Sequence, residues 1–188
     1  MADFALDLRR SSEVFRDLVW PECRAHLDGG ALMQMEDRPD AELATQLDMK
    51  AGIDGWQVHE RGMRGIASRV QIVEPPAPAW NTFTVRRARD SGAVTEYEKR
   101  RDAVESGRWV YPHVTIQAYV ETWDGPVVSV GIARTADIVA FIGLGLAKTR
   151  RTSNASFYVV PWGALRDAGY MVKVLKARPP LTSATARA

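Results

Sequence analysis

Leu47-Asp48-Met49-Lys50-Ala51-Gly52-Ile53-Asp54-Gly55-Trp56-Gln57-Val58 leads through a glycine-containing turn into Gly65-Ile66-Ala67-Ser68-Arg69-Val70-Gln71. The first residues close a helix-like run. Gly52 stops it, because glycine accepts the left-handed backbone that ends a helix. Ile53 to Glu60 and Gly65 to Val73 then read as two strands joined by a tight turn at Arg61-Gly62. Alternation divides the second strand. Ile66, Ser68, Val70 and Ile72 share the expected core face, and Ala67, Arg69 and Gln71 share the other. Asp54 opens the first strand, and Asp48 precedes Gly52 by about one helical turn. The expected outcome is carboxylates and a cation near one sheet edge, with Asp54 and Arg69 on the same face.

Upstream, Ser11 to Leu27 reads as a helix capped by Ser11 or Ser12, with Pro21 as a break or kink. Asp28-Gly29-Gly30 is a turn and Ala31 to Met35 a short extended piece. Asp40 caps a helix from Ala41 to about Met49. Downstream, the run 74–79 is a Pro-rich loop and Thr82 to Arg87 a third strand. Thr95 and Glu98 form a capping box for a helix that ends near Glu105. Val110 to Glu121, an Asp124-Gly125 turn and Val127 to Arg134 make a hairpin. Thr135 to Leu146 reads as a helix and Ser156 to Val160 as a strand. Pro161 to Ala168 reads as a helix started by proline, and Tyr170 to Leu175 as the last strand. The pattern predicts one α/β domain over 1–177, with a mixed, largely antiparallel sheet flanked by helices. A disordered tail is expected over 178–188.

Composition narrows the function classes. With 188 residues at 46% hydrophobic, one domain with a sizeable core is expected. A net charge of +2 permits nucleic-acid binding but does not demand it. Cys23 is the single cysteine, so no internal disulfide forms, and a lone Cys in a helix reads as a small buried hydrophobe. No apolar run is long enough to cross a bilayer as a helix. A cytoplasmic location is expected, or the host cytoplasm for a viral protein.

The acid at Asp54, the polar face around Ala67-Ser68-Arg69 and the later Phe157-Tyr158-Val159-Val160-Pro161-Trp162 run carry a resemblance in layout. It covers most of Ala41 to Lys173. The chain resembles the PD-(D/E)XK, restriction-endonuclease-like nucleases, in a divergent phage-type form. That resemblance implies a helix, a β-meander bearing the active site, a further helix and more strands. It implies Asp54 as the first-strand acid and Asp48 (or Glu42) as the helical acid, the two holding Mg²⁺ or Mn²⁺. It sets Arg69 at the signature lysine, with Gln71 as a relocated neutral ligand, so Asp54, Arg69 and Gln71 are the implied catalytic residues. The sequence departs from the family at Ala67, which has no ligand atom. Arg69 carries permanent charge and cannot shuttle protons, but it can hold a phosphate. Metal-dependent phosphodiester hydrolysis is one implied function. The other is an inactive nuclease-fold module, binding or inhibitory, that acts through a protein partner as viral accessory proteins do.

Basic residues cluster at Arg86, Arg87 and Arg89, at Lys99 to Arg101, and at Lys148, Arg150 and Arg151. The last group lies in an expected loop with Thr149, Thr152, Ser153 and Asn154. Cations among small hydroxyl and amide donors suit phosphate contacts. Arg86, Arg87, Lys148, Arg150 and Arg151 are therefore the candidate nucleic-acid contacts. Lys99 to Arg101 read as a solvated face balanced by Glu96, Glu98, Asp102 and Glu105. Trp56, Trp123 and Trp162 read as core, whereas Trp20, Trp80 and Trp109 sit near breaks where a ring can stack on a base. His26, His59 and His113 lack metal-ligand spacing and read as surface or packing residues.

Overall fold

The N-terminal helix starts at Phe4, well before the serine caps. α1 (Phe4–Val14) passes into a π-helical turn (Phe15–Val19), then α2 (Trp20–Arg24) and a 3-10 turn (Ala25–Leu27). Pro21 accounts for the π turn. It has no N–H, and its ring crowds the carbonyl four residues back, so the preceding turn widens. The run ends at Asp28, left-handed at φ 67°. The structure is a computed structural model that describes residues 4–35, 52–73, 80–108 and 110–175. The expected 41–49 helix with Asp48 and Glu42, the 74–79 loop, Trp109 and the 178–188 tail lie outside the described residues.

Among the described residues, six strands form the main sheet. Their spatial order is β1 (Ala31–Gln34), β2 (Gly55–His59), β3 (Gly62–Ile72), β5 (Pro112–Val120), β6 (Val127–Arg134) and β9 (Val172–Leu175). All neighbours are antiparallel except β3 and β5. That parallel pair needs a long crossover, which the chain makes through β4 (Thr82–Arg89) and α3 (Glu96–Glu105). The third strand of the sequence therefore leaves the main sheet. It pairs with β8 (Ala155–Pro161), which pairs with β7 (Lys148–Arg151), in a separate antiparallel sheet. The fold is mixed α/β, with a largely antiparallel sheet flanked by helices.

Among the described residues, the two larger buried clusters lie on the two faces of the main sheet. On one face, Val14, Phe15, Val19, Trp20, Cys23 and Leu27 of the helical run cover Ile66, Val70, Ile116, Ala118 and Val130. Trp20 and Cys23 are buried there. On the other face, α4 (Thr135–Gly143), α5 (Trp162–Asp167) and the smaller sheet pack Phe83, Val85, Ile138, Phe141, Trp162 and Leu165 against Tyr119 and Ala133. Gly131 of β6 permits this, since a Cβ there would overlap the Trp162 indole.

Several local expectations change. The β2–β3 register pairs His59 with Gly62, so the turn is Glu60-Arg61, one residue early. Pro161 is the N-cap of α5 and not its first residue. Lys148 to Arg151 is a strand, not a loop. Ile72, expected in the core, is exposed at the end of β3, and Arg100, expected in solvent, is buried. The Thr95–Glu98 capping box is present as read. Among the described residues, no helix is long and apolar enough to cross a membrane.

Candidate nucleic-acid interface

Asp54 lies one residue ahead of β2. Its Oδ2 accepts the backbone N–H of Ser68 at 2.6 Å, and its own N–H donates to Ile66 at 2.9 Å. The carboxylate is thus held against the backbone of β3 from the β2 side. Gln71 lies three residues beyond Ser68, about 10 Å of strand, and its Oε1 accepts from Gln117 on the β5 side at 3.2 Å. One Mg²⁺ or Mn²⁺ ion, with ligands at about 2.1 Å, does not span Asp54 and Gln71 in this arrangement. Ala67 between them is fully buried and offers no donor. Among the described residues, no three His, Cys, Asp or Glu side chains gather as a metal site. Asp48, the other implied ligand, lies outside the described residues.

By the period of the strand, Arg69 shares its face of β3 with Gln71. Its guanidinium donates to Glu96 Oε2 at 2.8 Å. The same oxygen accepts the Arg86 backbone N–H at 3.1 Å, and Glu96 Oε1 pairs with Arg100 at 2.6 Å. Burial alone would raise the Glu96 carboxyl. Arg100 and Arg69, with the Arg86 N–H, overcome it and hold the group at about 2. Glu96 is therefore an anion at neutral pH that ties β3, β4 and α3 together. Arg100 is not part of a solvated face, because its side chain is only 4% exposed.

The basic cluster of β7 splits because a strand has a period of two. Arg150 stands opposite Phe157, and Phe157 stands opposite Arg86, so the three form one row across the smaller sheet. The neighbouring row is Thr84, Val159 and Lys148. These rows make one face. Arg151 belongs to the reverse face, where it pairs with Asp90 at 3.1 Å. Arg87 falls at the register shift between Arg86 and Ala88, and its guanidinium lies over the Tyr158 ring. Of the five residues predicted to meet phosphate, Arg86, Lys148 and Arg150 share a face and Arg87 and Arg151 do not. Arg86 has a lowered pKa, caused first by burial and then by the charges of Arg69 and Arg89. Cationic crowding of this kind favours an arriving anion.

A cavity of about 410 Å³ opens between the two sheets at this face. Gln71, Ile72 and Tyr119 line it from the main sheet, and Thr84, Phe157 and Arg150 from the smaller one. Trp80 closes one side, with the Arg150 guanidinium 4.7 Å above its ring. Arg69 and Arg86 lie 5.5 and 5.6 Å from the Phe157 centroid. The Tyr119 hydroxyl is bound to Thr82, and burial pushes its pKa up to about 12, so it stays protonated. Sequence reading missed Phe157, Thr84, Gln117 and Tyr119, because each gains its role through a partner distant in the chain. For Trp80 the signal was present, in a ring beside a break.

The three histidines serve turns and packing. His59 Nδ1 accepts from the Arg61 N–H and His113 Nδ1 from the Gly65 N–H, each at 3.2 Å, and Lys173 bonds the His26 carbonyl. Compared with known protein families, curated proteins and solved structures, the chain finds no match.

Proposed function

We propose that this chain binds nucleic acid through the smaller sheet, as a binding module with no cleavage step assigned to it. The observation that supports this is the row Arg86–Phe157–Arg150 beside Lys148, which places cations and an aromatic ring on one face. Among the described residues, several other arginines are already committed. Arg69 and Arg100 hold Glu96, Arg134 holds Asp137, and Arg108 holds Asp102. Among the described residues, Arg150 has no carboxylate partner, and its guanidinium lies over the Trp80 ring. Such a cation remains available to phosphate, and its binding releases counterions.

The test is affinity for labelled DNA and RNA over a range of salt. Each phosphate contact removed flattens the log–log salt slope by roughly 1. The Lys148→Ala, Arg150→Ala double variant should weaken binding and reduce the slope by about 2. Replacing Arg87 and Arg151 on the reverse face should do much less. If no binding appears even at low ionic strength, the fold serves a protein partner instead.

A further inference from the structure

Resting on that reading, we infer that the cavity between the two sheets seats one unstacked base of a single nucleic-acid strand, with Trp80 as the stacking wall and the Gln71 amide as a hydrogen-bond donor to the base. The volume, about 410 Å³, suits one nucleotide and lies within the range of small-ligand sites. It opens on the same face as Arg150 and Lys148, so a strand crossing those cations passes its mouth.

The amide direction follows from the hydrogen bonds around it. The N–H and O–H of Thr84 both donate to Gln117 Oε1, at 3.3 and 3.1 Å. Gln117 must then present its NH₂, which donates to Gln71 Oε1. Gln71 is left with its own NH₂, which has no protein partner among the described residues. A buried relay thus fixes Gln71 as a donor at the cavity wall. It selects a ligand with an acceptor there, such as a base carbonyl. Trp80 gives the planar surface on which any base gains stacking energy. In the free protein Arg150 covers that ring. An entering base takes its place, and the guanidinium moves to the adjacent phosphate, where a charge-assisted pair replaces a cation–π contact. Duplex bases are already stacked and paired, so they do not enter.

The experiment compares a short oligothymidylate with an abasic phosphodiester chain of equal length, using fluorescence anisotropy at fixed salt. The unmodified strand should bind about ten-fold more tightly. Trp80→Leu should abolish that difference between the two chains. Trp80 also packs on the core, so Thr152→Trp is the second variant. Thr152 is an exposed rim residue, so this substitution should fill the cavity mouth and abolish the same difference. Gln71→Met, which removes the donor without adding charge, should weaken the unmodified strand selectively. Equal affinity of the folded wild type for both chains overturns the base pocket and leaves the phosphate-binding face intact. Absence of binding to either chain at low ionic strength overturns both.

Discussion

The Arg69 guanidinium and the Glu96 carboxylate lie 2.8 Å apart and join the main sheet to the start of α3. Through the same carboxylate, Arg100 and the Arg86 N–H are drawn to one point. Arg69 therefore acts first as a structural cation. The face on which it stands is covered by the smaller sheet and not open to a substrate along its length.

Glu96→Gln should destabilise the fold by about 3 kcal/mol, because it leaves the buried Arg100 without its counter-charge. Acid has a related effect. The Glu96 pKa is lowered to about 2 from its ordinary value near 4.5, so the unfolded chain takes up the proton first. The stability contributed by this group is complete above about pH 4.5 and is lost as the pH falls toward 2. Urea midpoints measured from pH 6 to pH 2.5 check this, and the variant should show a shallower acid limb.

His113 titrates in the same direction at higher pH. Its Nδ1 accepts the Gly65 N–H and its ring stacks on Tyr111 at 4.4 Å. Burial, then the Arg64 charge, lowers its pKa. The unfolded imidazole, near 6.5, binds a proton that the folded one resists. Stability should fall as the pH drops below about 6.5. His113→Asn, which keeps an acceptor for Gly65, should remove that component. Thermal midpoints at pH 8 and pH 5.5 for both proteins give the comparison.

Cys23 is fully buried under the N-terminal helical run, and burial pushes its thiol up to about 12. The native protein should react with a thiol reagent at pH 8 only through opening of that region. Labelling that becomes rapid in urea, in step with the loss of far-UV signal, is the expected result. Fast labelling under native conditions would show that the helix leaves the sheet easily.

Asp54 holds the Ser68 N–H at 2.6 Å. Asp54→Asn keeps an acceptor there but removes its charge, and should cost about 1 kcal/mol. Incubated with DNA and RNA in Mn²⁺, wild type and variant should both leave the nucleic acid intact. Cleavage by the wild type that disappears in Asp54→Asn would make Asp54 a metal ligand and restore the nuclease reading.

Most of the elements were legible in local sequence, the strand Lys148–Arg151 being an exception. Period-two alternation marked β3, β5 and β6, the Thr95–Glu98 box marked the start of α3, and the Asp124-Gly125 signal marked the β5–β6 hairpin. These are local effects of backbone and side-chain geometry, so they are legible within a few residues. Pro21 was legible as a disturbance, but packing of the helix on the sheet kept the run continuous through a π turn. Where the elements go depends on contacts far apart in the chain. β4 reads as the next strand of a meander, yet it pairs with β8, more than sixty residues on. Only that pairing brings Arg86, Phe157 and Arg150 into one row and directs Arg151 to the other face. Likewise, Glu96 was legible as a helix-start acid, but its burial among Arg69, Arg86 and Arg100 depends on the meeting of three elements. Charge and aromatic content were visible in the chain. Which cation remains free for a ligand depends on which carboxylates fold against the others, and that is set by long-range contacts.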